Sequence, residues 1–344
     1  MIEQTTGIVF DPVFLKHDQP SHPENAKRLE SILTGLKESG LYQKVEPIKS
    51  RRAEIKEISF CHTKEYINYV NEFCEKGGGH LDPDTYANEY SFDAASMAVG
   101  SSIDLTKSVI NGDLKNGFAL LRPPGHHALA NRSMGFCLFG NISIAAKAAL
   151  QNPKIGKVAI VDFDVHHGNG TQALIGDNPN ILFISTHQYP FYPGTGSIGE
   201  IGSGQAEGTI INIPLEAGVG DHSFKIVYEE IMLPALRRFN PDILLISAGF
   251  DAHWDDPLAN LNLTLTGFNR ISRALIKLAD EICSGKIIFF LEGGYNLDVL
   301  RNGVINTTKG LIGIESFDDT LGQLNILEPN INKLINELHQ IHKL

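Results

Sequence analysis

The chain has 344 residues, with 29 Lys and Arg against 40 Asp and Glu, for a formal charge of −11. Hydrophobic residues are 42% and charged residues 20%, which excludes wholesale disorder and allows a large core. The acidic balance excludes a broad basic face for nucleic acid and leaves room for an acidic mouth that draws a cationic ligand. In chain order, short β-branched runs recur at 7–10, 118–121, 157–163, 181–186, 209–214, 243–247 and 286–291. They are nearly continuous in apolarity, as strands covered on both faces must be, so a parallel sheet is predicted. Stretches with helical spacing lie between them at 24–39, 141–150, 223–239 and 266–283. Strand alternating with helix along the whole length, with no linker, repeat or low-complexity tract, predicts one α/β layered domain over residues 1–344. A polar tail from about residue 318 to 344 reads as a closing helix.

Cys61, Cys74, Cys137 and Cys283 show no CxxC spacing, so neither a disulfide framework nor a cysteine-ligated zinc finger is expected. No apolar run approaches the roughly 18 residues of a membrane span. The opening MIEQTTGIVF lacks the basic start of a signal peptide, so a cytoplasmic globular enzyme is expected, without membrane or direct nucleic-acid partners. The oligomeric state is open, a homo-oligomer included.

Four segments carry chemistry. In VAIVDFDVHHGNG (158–170) an extended strand would put Asp162, Asp164 and His166 on one face and Val161, Phe163 and Val165 on the other. Two carboxylates and an imidazole on such a strand are costly to bury unless a cation neutralises them, and no Lys or Arg is near. A sulfur-free set of this kind suits zinc or a similar divalent ion at a site with an open position. In LRPPGHHA (121–128) a stiff Pro-Pro-Gly turn presents His126 and His127, for which Asp162 and Asn169 are candidate partners that would fix their tautomers. In LLISAGFDAHWDDP (244–257) Asp251 stands at a strand's carboxyl end, where ligands gather in open α/β sheets, while Asp255 and Asp256 read as solvated turn residues. In FFLEGGYNL (289–297) two glycines would let Tyr295 swing into a site, although a tyrosine at a strand end more often packs.

With these motifs, GFC (135–137), YPGTG (192–196), HDQPSHPENAKRLESI (17–32) and LDPDTY (81–86), the chain from about 7 to 313 resembles the zinc-dependent histone deacetylase and acetylpolyamine amidohydrolase superfamily. Asn169 and the glutamate of LEGGY are more similar to its class II branch and bacterial relatives. The resemblance implies a three-layer α/β/α fold around an eight-stranded, mainly parallel sheet. It also implies a hydrolase acting on linear amide bonds. Residue by residue it implies a catalytic Zn(2+) on Asp164, His166 and Asp251, and acid–base histidines His126 and His127 oriented by Asp162 and Asn169. Tyr295 would donate to the substrate carbonyl. Gly135, Phe136, Tyr192 and Leu258 would line a tunnel for an acyl-lysine stem, with Asp84 at its rim and Arg28 on an internal product channel. Tyr192 departs mildly from the phenylalanine frequent there. A structural K(+) or Na(+) would take oxygens, mostly main-chain, from Asp162, Asp164, His166, Ser185 and Thr186.

The implied substrate is acetyl-lysine in proteins, with an acetylpolyamine as the alternative. The polyamine branch tends to carry a gatekeeping glutamate or a long insertion before RPPGHH, and here Leu258 follows Asp-Asp-Pro and the insertion is short. A binuclear manganese hydrolase of the ureohydrolase type would need more aspartates than Asn169 and the His-His pair allow. A non-catalytic binding module would be expected to have lost Tyr295 or a metal ligand.

Overall fold

Runs of Val, Ile, Leu and Phe with no polar face need cover on both sides, and a parallel sheet between helices supplies it. The computed structural model, which describes residues 5–344, has this arrangement; the first four residues of the opening segment read for a leader lie outside the described residues. Its strands are β1 (Thr6–Val9), β2 (Glu46–Ile48), β3 (Gly79–His80), β4 (Tyr86–Ala87), β5 (Asn116–Ala119), β6 (Val158–Asp162), β7 (Ile181–Gln188), β8 (Ile210–Leu215), β9 (Ile243–Ala248) and β10 (Ile287–Leu291). β3 and β4 pair as a small antiparallel ribbon. The other eight form one sheet in the order β2-β1-β5-β10-β9-β6-β7-β8. The apolar pattern predicts a parallel sheet and the family resemblance a mainly parallel one of eight strands; the observed sheet is parallel at every pairing. Its edge strand β2, Glu-Pro-Ile and partly exposed, has no apolar run by which it could be predicted.

The helices are α1 (Lys27–Glu38), α2 (Ile55–Ile58), α3 (Lys64–Glu75), α4 (Ser91–Asn111), α5 (Asn141–Ala149), α6 (Asn169–Ile175), α7 (Asp221–Ile226), α8 (Leu233–Phe239), α9 (Leu265–Cys283), α10 (Leu297–Leu311) and α11 (Asn332–His342). α1 packs on α10 and α10 on α9, while α4 packs on α5. The long α4 escapes prediction because Ala, Ser and Gly bury nearly all round it, which flattens the amphipathic pattern. The stretch predicted as one helix at 223–239 is interrupted by a π-helical turn, Val227–Met232. Pro234 follows it; having no N–H and a ring that crowds the carbonyl four residues back, it accounts for the widened turn. The predicted closing helix shrinks to α11, and residues 317–330 run without regular structure. All four cysteines are buried free thiols, and no helix among the described residues is long and apolar enough to cross a membrane.

The predicted helix at 24–39 starts three residues late, at Lys27, because Glu24 is used elsewhere. Glu24 is fully buried and accepts from both Arg122 (Nη2 to Oε2, 2.9 Å) and Arg28 (Nη1 to Oε1, 3.0 Å), which are themselves fully buried. Arg122 also donates to the Phe14 carbonyl and the Tyr86 hydroxyl, so this ion cluster ties the N-terminal segment to the end of β5. Burial pushes the Glu24 carboxyl up, but the Arg122 and Arg28 charges outweigh it and hold it at about 2 rather than its ordinary 4.5. A lowered carboxyl contributes stability that is whole above the unfolded value and lost as pH falls through the folded one. Glu24→Gln strands two buried guanidinium groups and is expected to cost about 3–5 kcal/mol in urea unfolding at pH 7. The deficit should shrink between about pH 4.5 and 2. A loss below about 1 kcal/mol would refute this role.

Candidate active site

β5, β10, β9 and β6 are adjacent and parallel, so the segments that follow them meet at one edge. β6 stops at Asp162; the predicted extended strand through His166 is corrected to a bend. Two carboxylates make that bend. Asp162 Oδ1 accepts from Asp164 N (3.1 Å) and Asp164 Oδ1 accepts from His166 N (2.9 Å), each side chain drawing the chain back toward itself.

Donor atoms of Asp164, His166 and Asp251 lie within 4.8 Å of one another, and both aspartates are fully buried. His166 Nδ1 is 3.2 Å from Asp164 Oδ1 and 3.4 Å from Asp251 Oδ2. Asp251 Oδ1 accepts from Val165 N (2.9 Å), whereas its Oδ2 is buried without a hydrogen bond. Gly293 leaves the space these groups use: a Cβ there would lie 2.0 Å from Asp251 Oδ2 and 2.6 Å from Asp164 Oδ2. A buried, unsatisfied carboxylate oxygen facing a second carboxylate and an imidazole is a polar concentration that a cation relieves. The residues therefore fit a divalent metal ion. Burial raises Asp251 further, aided by Asp164, and pushes Asp162 to about 6 and Glu292 to about 7. His166 stands at about 10, burial being outweighed by Asp164 and Asp251.

A second close group, His126, Cys137 and Glu292, is already engaged. Glu292 Oε2 accepts from Gly125 N (2.7 Å) and His126 N (3.2 Å), which anchors the turn after β5, and burial holds the Cys137 thiol well above its usual range. His126 Nδ1 meets Asp162 Oδ2 at 3.0 Å, and its Nε2 is 3.8 Å from Asp164 Oδ2. His127 Nδ1 meets Asn169 Oδ1 at 2.7 Å. The two rings are 4.0 Å apart and buried, yet their electrostatics diverge. Burial lowers both. For His126 the carboxylates of Asp164, Asp162 and Glu292 overcome it and raise the imidazole well above 6.5, while His126 and His166 drive His127 further down.

Above these groups lies a cavity of about 80 Å³, narrow beside the roughly 300–1,000 Å³ of ordinary ligand pockets. It is lined by His127, His166 and Tyr295, by Gly135, Phe136 and Tyr192, and by Asp84 and Leu258. Phe136 holds a left-handed backbone (φ 68°), fixed by Phe136 N donating to Thr85 Oγ1 (3.0 Å). Such a conformation costs a phenylalanine about 1–3 kcal/mol and survives where the surroundings dictate it. Its ring stands edge-on to Tyr295 (5.8 Å), and that of Tyr192 edge-on to His127 (5.2 Å). Arg28 lies behind Tyr295, its guanidinium 5.1 Å from the ring centre. Ser185 faces Asp162 across the β6–β7 register, and Thr186 Oγ1 reaches the Asp162 carbonyl at 3.4 Å, but the Ser185 hydroxyl is engaged by His187 Nδ1.

The expectation of a solvated turn at 255–256 is half corrected. Asp255 is exposed, but Asp256 is 6% exposed and accepts from the backbone N–H groups of Leu258, Tyr295 and Asn296. Sequence reasoning also passes over Glu292 as a buried anchor, although a lone acid between Leu291 and Gly293 gives the same signal that singles out Asp162. His22 is a further omission: its Nε2 meets the Asp84 carbonyl (3.0 Å) and its ring stands against Phe136 (4.5 Å).

The histone deacetylase domain description matches residues 22–311. Histone deacetylase 14, chloroplastic, of Arabidopsis thaliana is 41% identical over 319 residues, covering 88% of this chain and 75% of that one. A probable deacetylase of Archaeoglobus fulgidus is 40% identical over 299 residues, covering 85% and 82%. The crystal structure of the HDA15 HD domain superposes with a TM-score of 0.90 at 36% identity, over 98% of this chain and 94% of that one. A matched domain that spans every strand but β1, the histidine pair, the Asp-His-Asp cluster and the tyrosine loop leaves one conclusion: the chain belongs to the histone deacetylase family.

Proposed function

We propose that this chain is a zinc-dependent amidohydrolase that removes acetyl groups from N-acetylated amines, acetyl-lysine in proteins before acetylpolyamines. The observation that carries the reading is the narrow aromatic-walled cavity whose lining includes His166, a member of the close Asp164–His166–Asp251 group. Aromatic walls accept the apolar stem of an acylated amine and disfavour a bare ammonium, which would lose its hydration there. Asp84 would accept from a peptide N–H. Leu258 offers no partner to the second ammonium of a polyamine, and this favours a peptide substrate. A structural K(+) or Na(+) near Asp162 and Ser185 belongs to the same proposal and rests on the family resemblance.

Asp164, His166 and Asp251 would hold the divalent ion; when bound, it supplies Lewis acidity toward the amide carbonyl and lowers the pKa of a water. The division of labour among the other residues follows from their partners. The amide oxygen of Asn169 only accepts, so His127 carries its proton on Nδ1 and presents a lone pair on Nε2. His127 is thus the base that takes a proton from the attacking water. His126, between Asp162 and Asp164, is the more basic of the two and assists electrostatically; a bound cation would oppose protonation of both, so it is their order that the partners set. Tyr295 donates a hydrogen bond from its hydroxyl to the carbonyl oxygen as negative charge develops there, and keeps its proton. The leaving amine recovers a proton from the imidazolium of His127.

Steady-state rates against acetyl-lysine peptides, acetylspermidine and acetylputrescine test the substrate class; the highest kcat/KM is expected for a peptide, and polyamine turnover alone would overturn that choice. Asp251→Ala is expected to lose bound metal on elemental analysis and nearly all turnover while keeping a cooperative thermal transition. Full metal occupancy in that variant would remove Asp251 from the ligand set. Tyr295→Phe deletes one donor aimed at the oxyanion, so kcat should fall by about 10²–10³ with KM little changed. Turnover within about twofold of wild type would reduce Tyr295 to packing.

A further inference from the structure

The segment that carries Tyr295 has no regular structure of its own. It leaves β10 after Leu291, passes Gly293 and Gly294, and enters α10 at Leu297. Gly294 has φ 113°, a region open to glycine and closed to nearly every other residue, so the backbone here has no torsional preference that would place the next side chain. Side chains from elsewhere place it instead. Asp164 Oδ2 accepts from Gly293 N (2.8 Å), and Arg28 Nε donates to the Gly294 carbonyl (2.7 Å). Asp256 Oδ2 accepts from Tyr295 N (2.7 Å) and from Asn296 N (3.3 Å). Among these three, Asp256 is the one that binds the peptide N–H of Tyr295 itself.

The other oxygen of the same carboxylate accepts from Leu258 N (3.0 Å). One side chain therefore fastens the loop after β9, which bears Asp251 and Leu258, to the loop after β10, which bears Tyr295. A second tie runs beside it, from Asn296 Nδ2 to the Asp255 carbonyl and Oδ2, both at 2.9 Å. Asp256 is nearly buried, so its bonds to these three backbone N–H groups are little diluted by water. Asp256 lies outside the Asp164–His166–Asp251 group, so its carboxylate is committed to backbone rather than to a cation.

We infer that Asp256 is a positioning residue for Tyr295, fixing the height of its peptide so that the phenol meets the substrate carbonyl in the cavity. The inference rests on the proposed role of Tyr295 as oxyanion donor. A residue that works through Tyr295 has a ceiling on its effect: its loss cannot exceed that of the tyrosine hydroxyl, and must vanish once that hydroxyl is gone.

The test is a double-mutant cycle of Asp256→Asn and Tyr295→Phe on the full chain loaded with metal, assayed with an acetyl-lysine peptide. Asparagine keeps one acceptor oxygen and turns an N–H₂ toward the other amide, so one of the two loops is released. Asp256→Asn is expected to lower kcat roughly 10- to 100-fold with KM and metal content unchanged, a loss that ångström-scale misplacement can produce. In the Tyr295→Phe background the same substitution should change kcat by less than about twofold. Equal losses in both backgrounds, or a loss that tracks metal content, would overturn the inference while leaving the role of Tyr295 intact. If Tyr295→Phe alone is near wild type, both readings fall. Should Asp256→Asn not accumulate as folded protein, Asp256→Ser, smaller and with one acceptor retained, is read in the same cycle. Failure of both to fold would make Asp256 a folding residue and overturn the proposal.

Discussion

Five carboxylates, those of Asp162, Asp164, Asp251, Asp256 and Glu292, are buried along one edge of the sheet, and nothing in a protein interior is costlier than uncompensated charge of one sign. Their partners are unequal. Asp256 spends both oxygens on backbone N–H groups, Glu292 one on backbone and one on the Ser247 hydroxyl, Asp162 meets an imidazole, and Asp164 and Asp251 converge on His166. The loops after β5, β6, β9 and β10 take their shapes from satisfying these groups, so the electrostatic problem and the local fold are one problem. The fully buried Glu24–Arg28–Arg122 cluster solves the same difficulty with guanidinium groups and needs no ion. At the site no Lys or Arg reaches Asp251 Oδ2, which makes that region the one that calls for a metal.

The contrast between His126 and His127 arises from the same source. Adjacent in sequence and 4.0 Å apart as rings, they differ because one is backed by an acid and the other by an amide. Asp164 and Glu292 add to the contrast by raising His126, while His126 and His166 lower His127.

Much of this was legible in the sequence. The apolar runs gave the strands of the sheet because burial on both faces leaves an unbroken hydrophobic signal, and acids and histidines interrupting such a signal stood out at Asp162, Asp164, His166 and Asp251. What could not be read was carried by residues whose burial depends on a distant partner. Asp256 looks like any turn aspartate until the amides of Tyr295 and Asn296 arrive from forty residues downstream. Glu24 looks like a helix-starting acid until Arg122 is folded against it. Helix α4 hid for another reason: its small residues are buried all round, and periodicity is silent when every face is alike.

The sheet's wholly parallel pairing has a consequence for how the protein reaches its working form. Parallel neighbours cannot be joined by hairpins, so each of the four central strands is separated from its sheet partners by a long crossover. The chemistry-bearing groups, from His126 to Tyr295, become neighbours only after those distant pairings close, and such closures are late and slow relative to local structure. The local β3–β4 ribbon, which brackets Asp84, can form early, but the groups from His126 to Tyr295 lie outside it, so it prepares no more than one corner of the site. Its assembly is therefore a late event, and a chain emerging in order from its N-terminus has no complete active centre until the segment beyond β10 has joined the sheet.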